Sequence, residues 1–146
     1  GASTDFLTEE HLDLAMDYDV IGKAGSRLGT GTMIILDDKT CPVGMVKNLV
    51  EFFAQESCGF CTPCRDGLPW SAQVLGDLES GKGIKADLVT LEDQVRFIGA
   101  IGNTHCALAP GAMEPLSSAM KYFADDFQRH VDGKACPYCD SENGGV

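Results

Sequence analysis

Hydrophobic positions recur along most of this chain at three- and four-residue steps, the spacing that lines up one face of a helix. In "TCPVGMVKNLVEFFAQES" the apolar positions are Val43, Val46, Leu49, Val50 and Phe53. Thr40 or Cys41 is placed to cap this helix, with Pro42 at its first position, where a missing N–H costs nothing. A second helix is expected from about Leu68 and Pro69 through Trp70, Val74, Leu75 and Leu78, stopped by Gly81 and Gly83. A third is expected from Asp87 or Thr90 through Leu91, Val95 and Ile98 to near Gly102. A fourth runs from about Pro115 through Leu116, Met120, Phe123 and Phe127 to near Gly133. Four such stripes with short joints predict a small helical bundle, each stripe turned toward a shared core.

The first forty residues follow a different pattern. "DYDVIGKAGSRLG" reads as a short helix from Asp17, closed by Gly25 or Gly29. "TMIILDD" (32–38) is a β-branched run that ends in acidic residues, the mark of a strand. The expected fold is therefore mainly α: a small four-helix bundle over 39–131, preceded by a short α+β segment over 1–38. The end of the chain, 132–146, is polar and glycine-rich and is expected as a mobile tail. "GSRLGTG" (25–31) fits neither dinucleotide-loop nor P-loop spacing and is read as a turn.

Composition narrows the classes. With 146 residues the chain can bury a core without disulfides. A formal net charge of −11 leaves no basic face to displace counterions, so nucleic-acid binding is not expected. No apolar run approaches membrane-spanning length. The opening "GASTDFLTEE" has no basic-then-apolar pattern, so no signal peptide is expected, and its lack of an initiator Met leaves two expectations open, an engineered stretch or a piece of a longer polypeptide. Seven clustered cysteines without a secretion signal indicate a reducing compartment and metal ligation.

Three of the seven stand in "ESCGFCTPCRDG", as Cys58, Cys61 and Cys64 with two residues between neighbours. Zinc sites usually gather two separate pairs around one ion. A [4Fe–4S] cubane offers several irons, each taking one sulfur, and one short loop can serve three of them. Gly59 lets the backbone come close, Pro63 stiffens the turn and Arg65 adds a positive charge beside Cys64. The fourth ligand must come from Cys41, Cys106, Cys136, Cys139 or His105. Cys41 sits at a helix start and reads as a small buried hydrophobe. Cys106 lies in a loop bounded by glycine and proline, "GNTHCALAPGA", that can reach one end of a bundle. "CPYC" (136–139) is open to three readings: inert tail, half a zinc knuckle, or a redox dithiol. His11, His105 and His130 read as surface or packing residues, and Phe60 and Trp70 as either core or a shield around the cluster.

"ESCGFCTPCRDGLPW", "NTHCALAPGAMEPLSSAMKYF" and "MDYDVIGKAGSRLGTGTMIILDD" together resemble the NADH-binding, FMN-carrying subunit of respiratory complex I, over roughly residues 10–131. NAD-reducing hydrogenases and NAD-dependent formate dehydrogenases share these motifs. The resemblance implies a [4Fe–4S] cluster on Cys58, Cys61, Cys64 and Cys106. It implies electrons that arrive from FMN, reduced by NADH, and leave toward a partner. The partners implied are a thioredoxin-like [2Fe–2S] subunit and a multi-cluster iron–sulfur subunit, in the peripheral arm of a membrane-associated complex on the cytoplasmic or matrix side. Residues 1–38 would end a β-grasp-like domain that binds soluble ligand in the parent subunit. The family's flavin and nucleotide loops lie N-terminal to the matched region, so this stretch alone is not expected to turn over NADH. A zinc-stabilised interaction domain is the competing reading, and disulfide exchange at Cys136 and Cys139 a weaker third.

Overall fold

The computed structural model describes residues 1–139. After a single 3-10 turn (Glu9–His11) come six helices: α1 (Tyr18–Lys23), α2 (Pro42–Gln55), α3 (Thr62–Glu79), α4 (Lys85–Ile98), α5 (Leu108–Tyr122) and α6 (Ala124–Gly133). Helices α2 to α5 form the expected bundle, each packed on the next and α5 back on α2. Val43, Val46, Val50, Leu68, Leu75, Leu78, Leu91 and Leu116 are wholly buried in its centre. Burial of each side chain of this size contributes roughly 1.5–3 kcal/mol, which is why the periodicity alone located the bundle. At Gly67 a Cβ would stand 2.5 Å from Ile98 Cδ1, so the missing side chain lets α3 and α4 pack closely.

Of the two cap candidates Thr40 and Cys41 the structure uses Cys41, and the short helix expected from Asp17 is capped by that residue. The Asp17 carboxylate accepts from the backbone N–H groups of Asp19 and Val20. Cys41 Sγ accepts from Gly44 N–H, with Pro42 in the first turn of α2. Three helix starts lie earlier than expected, that of α4 by two residues, at Lys85, and those of α3 and α5 by more. α3 begins at Thr62 and α5 at Leu108, so Pro69 and Pro115 sit inside helices. Each proline removes one i→i−4 bond. At Pro69 the loss falls on an exposed face, where water can serve the freed carbonyl. The expected fourth helix is two helices. Phe123 (φ −121°, ψ 32°) leaves helical geometry and separates α5 from α6. Trp70, expected on the core stripe, is 52% exposed, while Val74, Leu75 and Leu78 are buried as expected.

The expected strand over 32–38 does not form. This run is irregular, and Met33, Ile34 and Ile35 are exposed. β-branched residues favour a strand only where a neighbour pairs with it, and no strand occurs among the described residues. The N-terminal segment lies instead against α5. Phe6 N–H donates to Ser118 Oγ at 2.7 Å and the Phe6 ring meets that of Phe123 edge-on. Arg27 pairs with Glu114 at 2.6 Å.

The expected mobile tail is also corrected over 134–139. Lys134 takes left-handed geometry (φ 49°) and turns the chain back toward the end of α3. Gly81 (φ 73°) meets it so closely that a Cβ there would stand 1.9 Å from the Lys134 carbonyl oxygen. Tyr138 donates to the Asp126 carboxylate and Arg129 lies over its ring. Cys136 is left only 6% exposed. The rest of the expected tail, 140–146, lies outside the described residues.

Candidate metal centre

α2 and α3 are antiparallel neighbours, so the cysteine run that joins them occupies one end of the bundle. Gly59 (φ 77°) makes the turn that a side chain would strain, and Arg65 Nη1 donates to its carbonyl at 3.2 Å. Cys61 is the N-cap of α3 and Cys64 lies in its first turn. Both sulfurs therefore sit where the helix N–H groups and dipole favour negative charge. Cys58 is exposed, Cys61 half-buried and Cys64 buried, with Ser57 Oγ 3.1 Å from Cys64 Sγ.

The loop between α4 and α5 reaches the same end. His105 N–H points at Cys61 Sγ, 3.3 Å away, and the His105 ring packs edge-on against Phe60 with centroids 5.0 Å apart. Cys106 follows immediately, exposed, two residues before α5. Four thiols are thus brought to the N-terminal ends of two helices, Cys58, Cys61 and Cys64 from one loop and Cys106 from the next. Phe60 and Trp70, considered as a shield, are 72% and 52% exposed and enclose nothing within this chain. His105 offers its backbone rather than its ring to the thiols, and His11 is engaged locally with Thr8.

The remaining fourth-ligand candidates are elsewhere. Cys41 and Cys136 meet at the opposite end of the bundle, beyond the whole length of α3, about 27 Å for its 18 residues. There Cys41 Sγ lies 3.0 Å from Glu79 Oε1 and 3.4 Å from His130 Nε2, and His130 Nε2 lies 2.8 Å from Glu79 Oε1. His130 is wholly buried, and its Nδ1 stands 2.7 Å from the Asp126 carbonyl oxygen. Burial alone would lower the imidazole pKa. The Glu79 carboxylate outweighs it, helped by the Asp126 carbonyl and Cys136, and holds the ring at about 9. Burial pushes the Cys41 thiol well up, and the Glu79 carboxylate adds to the effect. Burial also opposes ionisation of Cys136, but the Tyr138 backbone N–H, Cys139 and His130 together bring its pKa below the ordinary thiol value.

Sequence reasoning missed Glu79 and His130. His130 carried one usable signal, its place six residues before a Cys-x-x-Cys pair. Glu79 carried none, because a glutamate at a helix end reads as a solvated charge.

A helical bundle with a three-cysteine loop at one end and a fourth cysteine on the adjoining loop defines an iron–sulfur-binding domain by its donor set. Residues 44–130 match the NADH-ubiquinone oxidoreductase-F iron–sulfur binding region, and the chain belongs to that family. It is 59% identical over 131 residues to the F-type subunit of NADH-quinone oxidoreductase from Escherichia coli (strain K12), a match that covers 90% of this chain and 29% of that protein. The corresponding protein from Streptomyces coelicolor is 46% identical over 138 residues, 94% of this chain and 30% of its own length. Among solved structures, a chain of NAD+-reducing [NiFe]-hydrogenase in the H2-reduced state superposes with a TM-score of 0.77 at 27% identity, covering 90% of this chain and 22% of that one. The chain thus spans under a third of the curated relatives it matches. The matched region contains the cysteine run and the Cys106 loop and stops before Cys136. No helix among the described residues is long and apolar enough to cross a membrane.

Proposed function

We propose that this chain is the electron-relay portion of an NADH-oxidising flavoprotein subunit, with one [4Fe–4S] cluster held by Cys58, Cys61, Cys64 and Cys106. The observation that carries the reading is the contact between the two loops, His105 N–H on Cys61 Sγ, which supports the next residue, Cys106, as the fourth ligand. The donor set fits a cubane. Its four irons take four separate sulfurs, and the helix N-termini and Arg65 offset its negative charge. When bound, the cluster supplies one-electron redox chemistry. The chain's own residues hold it in place, cap it with N–H donors and set how far it stands from its neighbours.

In this reading the electrons come from an FMN reduced by NADH in the preceding part of the same subunit. They leave toward iron–sulfur subunits docked at the same end, the thioredoxin-like [2Fe–2S] subunit and the multi-cluster subunit. Support comes from the exposed apolar surface there, where Phe60 is 72% and Ile101 98% exposed beside exposed Cys58 and Cys106. Apolar side chains around an open cysteine site suit burial against protein. Residues 1–38 would complete a β-grasp-like domain, with 32–38 gaining its partner strand from residues that precede this chain. A quinone-reducing host in a membrane-associated peripheral arm is favoured by the 59% identity, and a hydrogenase host by the structural neighbour.

Anaerobic purification followed by iron and sulfide analysis tests the reading. About four of each per chain are expected, with a brown colour and a paramagnetic resonance signal after chemical reduction. A colourless chain with zinc at the cysteine run would replace the relay with a zinc-stabilised interaction domain. The isolated chain is expected to be inert to NADH, because residues 1–146 hold no G-x-G-x-x-G loop. Bleaching by NADH without added flavoprotein would overturn that expectation.

A further inference from the structure

We propose a second metal site, for zinc, at the end of the bundle opposite the cysteine run. Cys41, His130 and Cys136 are its ligands, and Glu79 closes the tetrahedron. One donor atom from each of these four residues lies within 4.8 Å of all the others. They come from four separate places in the fold: the cap of α2, the last residue of α3, the last turns of α6 and the turn that follows it. Two thiols, an imidazole and a carboxylate in a largely buried, four-donor set are the chemistry of a closed structural zinc site.

The three edges among Cys41, His130 and Glu79 are those of a tetrahedral face drawn slightly inward. Bond lengths of about 2.3 Å to sulfur and about 2.0 Å to nitrogen or oxygen require edges of about 3.3–3.8 Å. The edge from Cys41 Sγ to His130 Nε2 is 3.4 Å, and the two edges to Glu79 Oε1 are 3.0 and 2.8 Å. A shift of about half an ångström by the Glu79 carboxylate brings its two edges to coordination length, and Cys136 Sγ lies within 4.8 Å of the other three donors. That side chain is free to make it, being the end of a flexible chain and 22% exposed.

The surroundings also fit. His130 Nδ1 faces the Asp126 carbonyl at 2.7 Å, which places the Nδ1 proton there and turns Nε2 to the centre of the group. This is how a second hydrogen bond orients a metal-binding imidazole. Gly44 N–H points at Cys41 Sγ at 3.3 Å, and the N-terminus of α2 favours a thiolate there. The turn that carries Cys136 is held by Tyr138 on Asp126 and by the close passage of Lys134 against Gly81. Binding would release the Nε2 proton and the thiol protons to solvent, leaving neutral imidazole and thiolates on the ion. The zinc would tie the segment after α6 to the start of α2 and the end of α3.

The test is elemental analysis of the whole chain, purified anaerobically from zinc-supplied cells, together with cobalt substitution. About one zinc per chain is expected alongside the iron. Cys41→Ser, His130→Gln and Cys136→Ser should each lose the zinc and keep the iron and the brown colour. Cys106→Ala should do the reverse. Should a variant fail to fold, the unmodified chain still decides. After removal of zinc with a chelator, added cobalt should give the intense spectrum of tetrahedral thiolate coordination. A folded chain without zinc whose cobalt complex shows only weak octahedral colour would overturn the site. So would zinc that is lost with Cys106→Ala and kept with His130→Gln. Loss of the tetrahedral spectrum in Cys139→Ser but not in Glu79→Gln would overturn the Glu79 assignment and give its place to Cys139.

Discussion

The two ends of the bundle set their thiols in opposite surroundings, with Cys58, Cys61, Cys64 and Cys106 at one end and Cys41 and Cys136 at the other. At the first end the thiols come from two loops, two of the four are exposed, and apolar side chains stand open around them. At the second end the donors come from the ends of packed elements, His130 is wholly buried, and both of its ring nitrogens have hydrogen-bond partners. An open, loop-built end suits a redox group that must exchange electrons with something outside the chain. A closed end suits a group whose work is to hold helices together.

The sharpest way to break this contrast is to remove a thiol from each end in turn. Cys106→Ala should reduce bound iron from about four per chain to near zero, since one iron of the cubane loses its anionic ligand. Cys41→Ala should leave the iron and the visible spectrum unchanged. Equal iron retention in the two variants would erase the distinction between the ends.

A smaller effect is expected from His130→Ala. It leaves the partly buried Glu79 carboxylate without its main partner and opens a space in the core, a loss of about 3 kcal/mol. Denaturant unfolding followed by helix content measures it. An unchanged midpoint would mean that the closed end contributes nothing to the packing of α6.

Gly81→Ala sharpens the comparison further, because it attacks the closed end from outside its polar group. The new Cβ would collide with the Lys134 carbonyl oxygen in a backbone with φ 73°. We expect a loss of about 1–3 kcal/mol. Cys136 should also react faster with an alkylating reagent as the 134–139 turn lifts away. The same reagent should label Cys58 equally fast in both proteins.

The smallest effect is assigned to Arg27→Ala. Its pair with Glu114 is exposed and should contribute no more than about 0.5 kcal/mol, seen as a slight shift in the unfolding midpoint at low salt. A larger loss would show that the N-terminal segment, and not only the bundle, stabilises α5.

Particular elements show why some features could be read from the chain and others could not. The stripe Val43, Val46, Leu49, Val50 and Phe53 located α2 almost to the residue, because periodicity, cap and proline agreed. The prolines mislead elsewhere. Pro69 and Pro115 read locally as helix starts, whereas tertiary packing carries α3 and α5 straight through them. "TMIILDD" has the composition of a strand but no partner among the described residues, and composition cannot supply one. The "CPYC" segment has no apolar stripe, so nothing local reveals that Lys134 turns it back onto α3.

The local terms were legible in the chain alone: the helix periods, a cap for α2 at Thr40 or Cys41, and the C-x₂-C-x₂-C loop whose three sulfurs are neighbours wherever the loop goes. Those follow from spacing along a single stretch of backbone. Only the tertiary structure decided which distant residues meet. It brought His105 and Cys106 to Cys61, and it gathered Cys41, Glu79, His130 and Cys136 from as far apart as 95 positions along the chain. Such meetings depend on how the helices pack and reverse, which is set by burying all the apolar stripes at once. No single stretch of sequence encodes that.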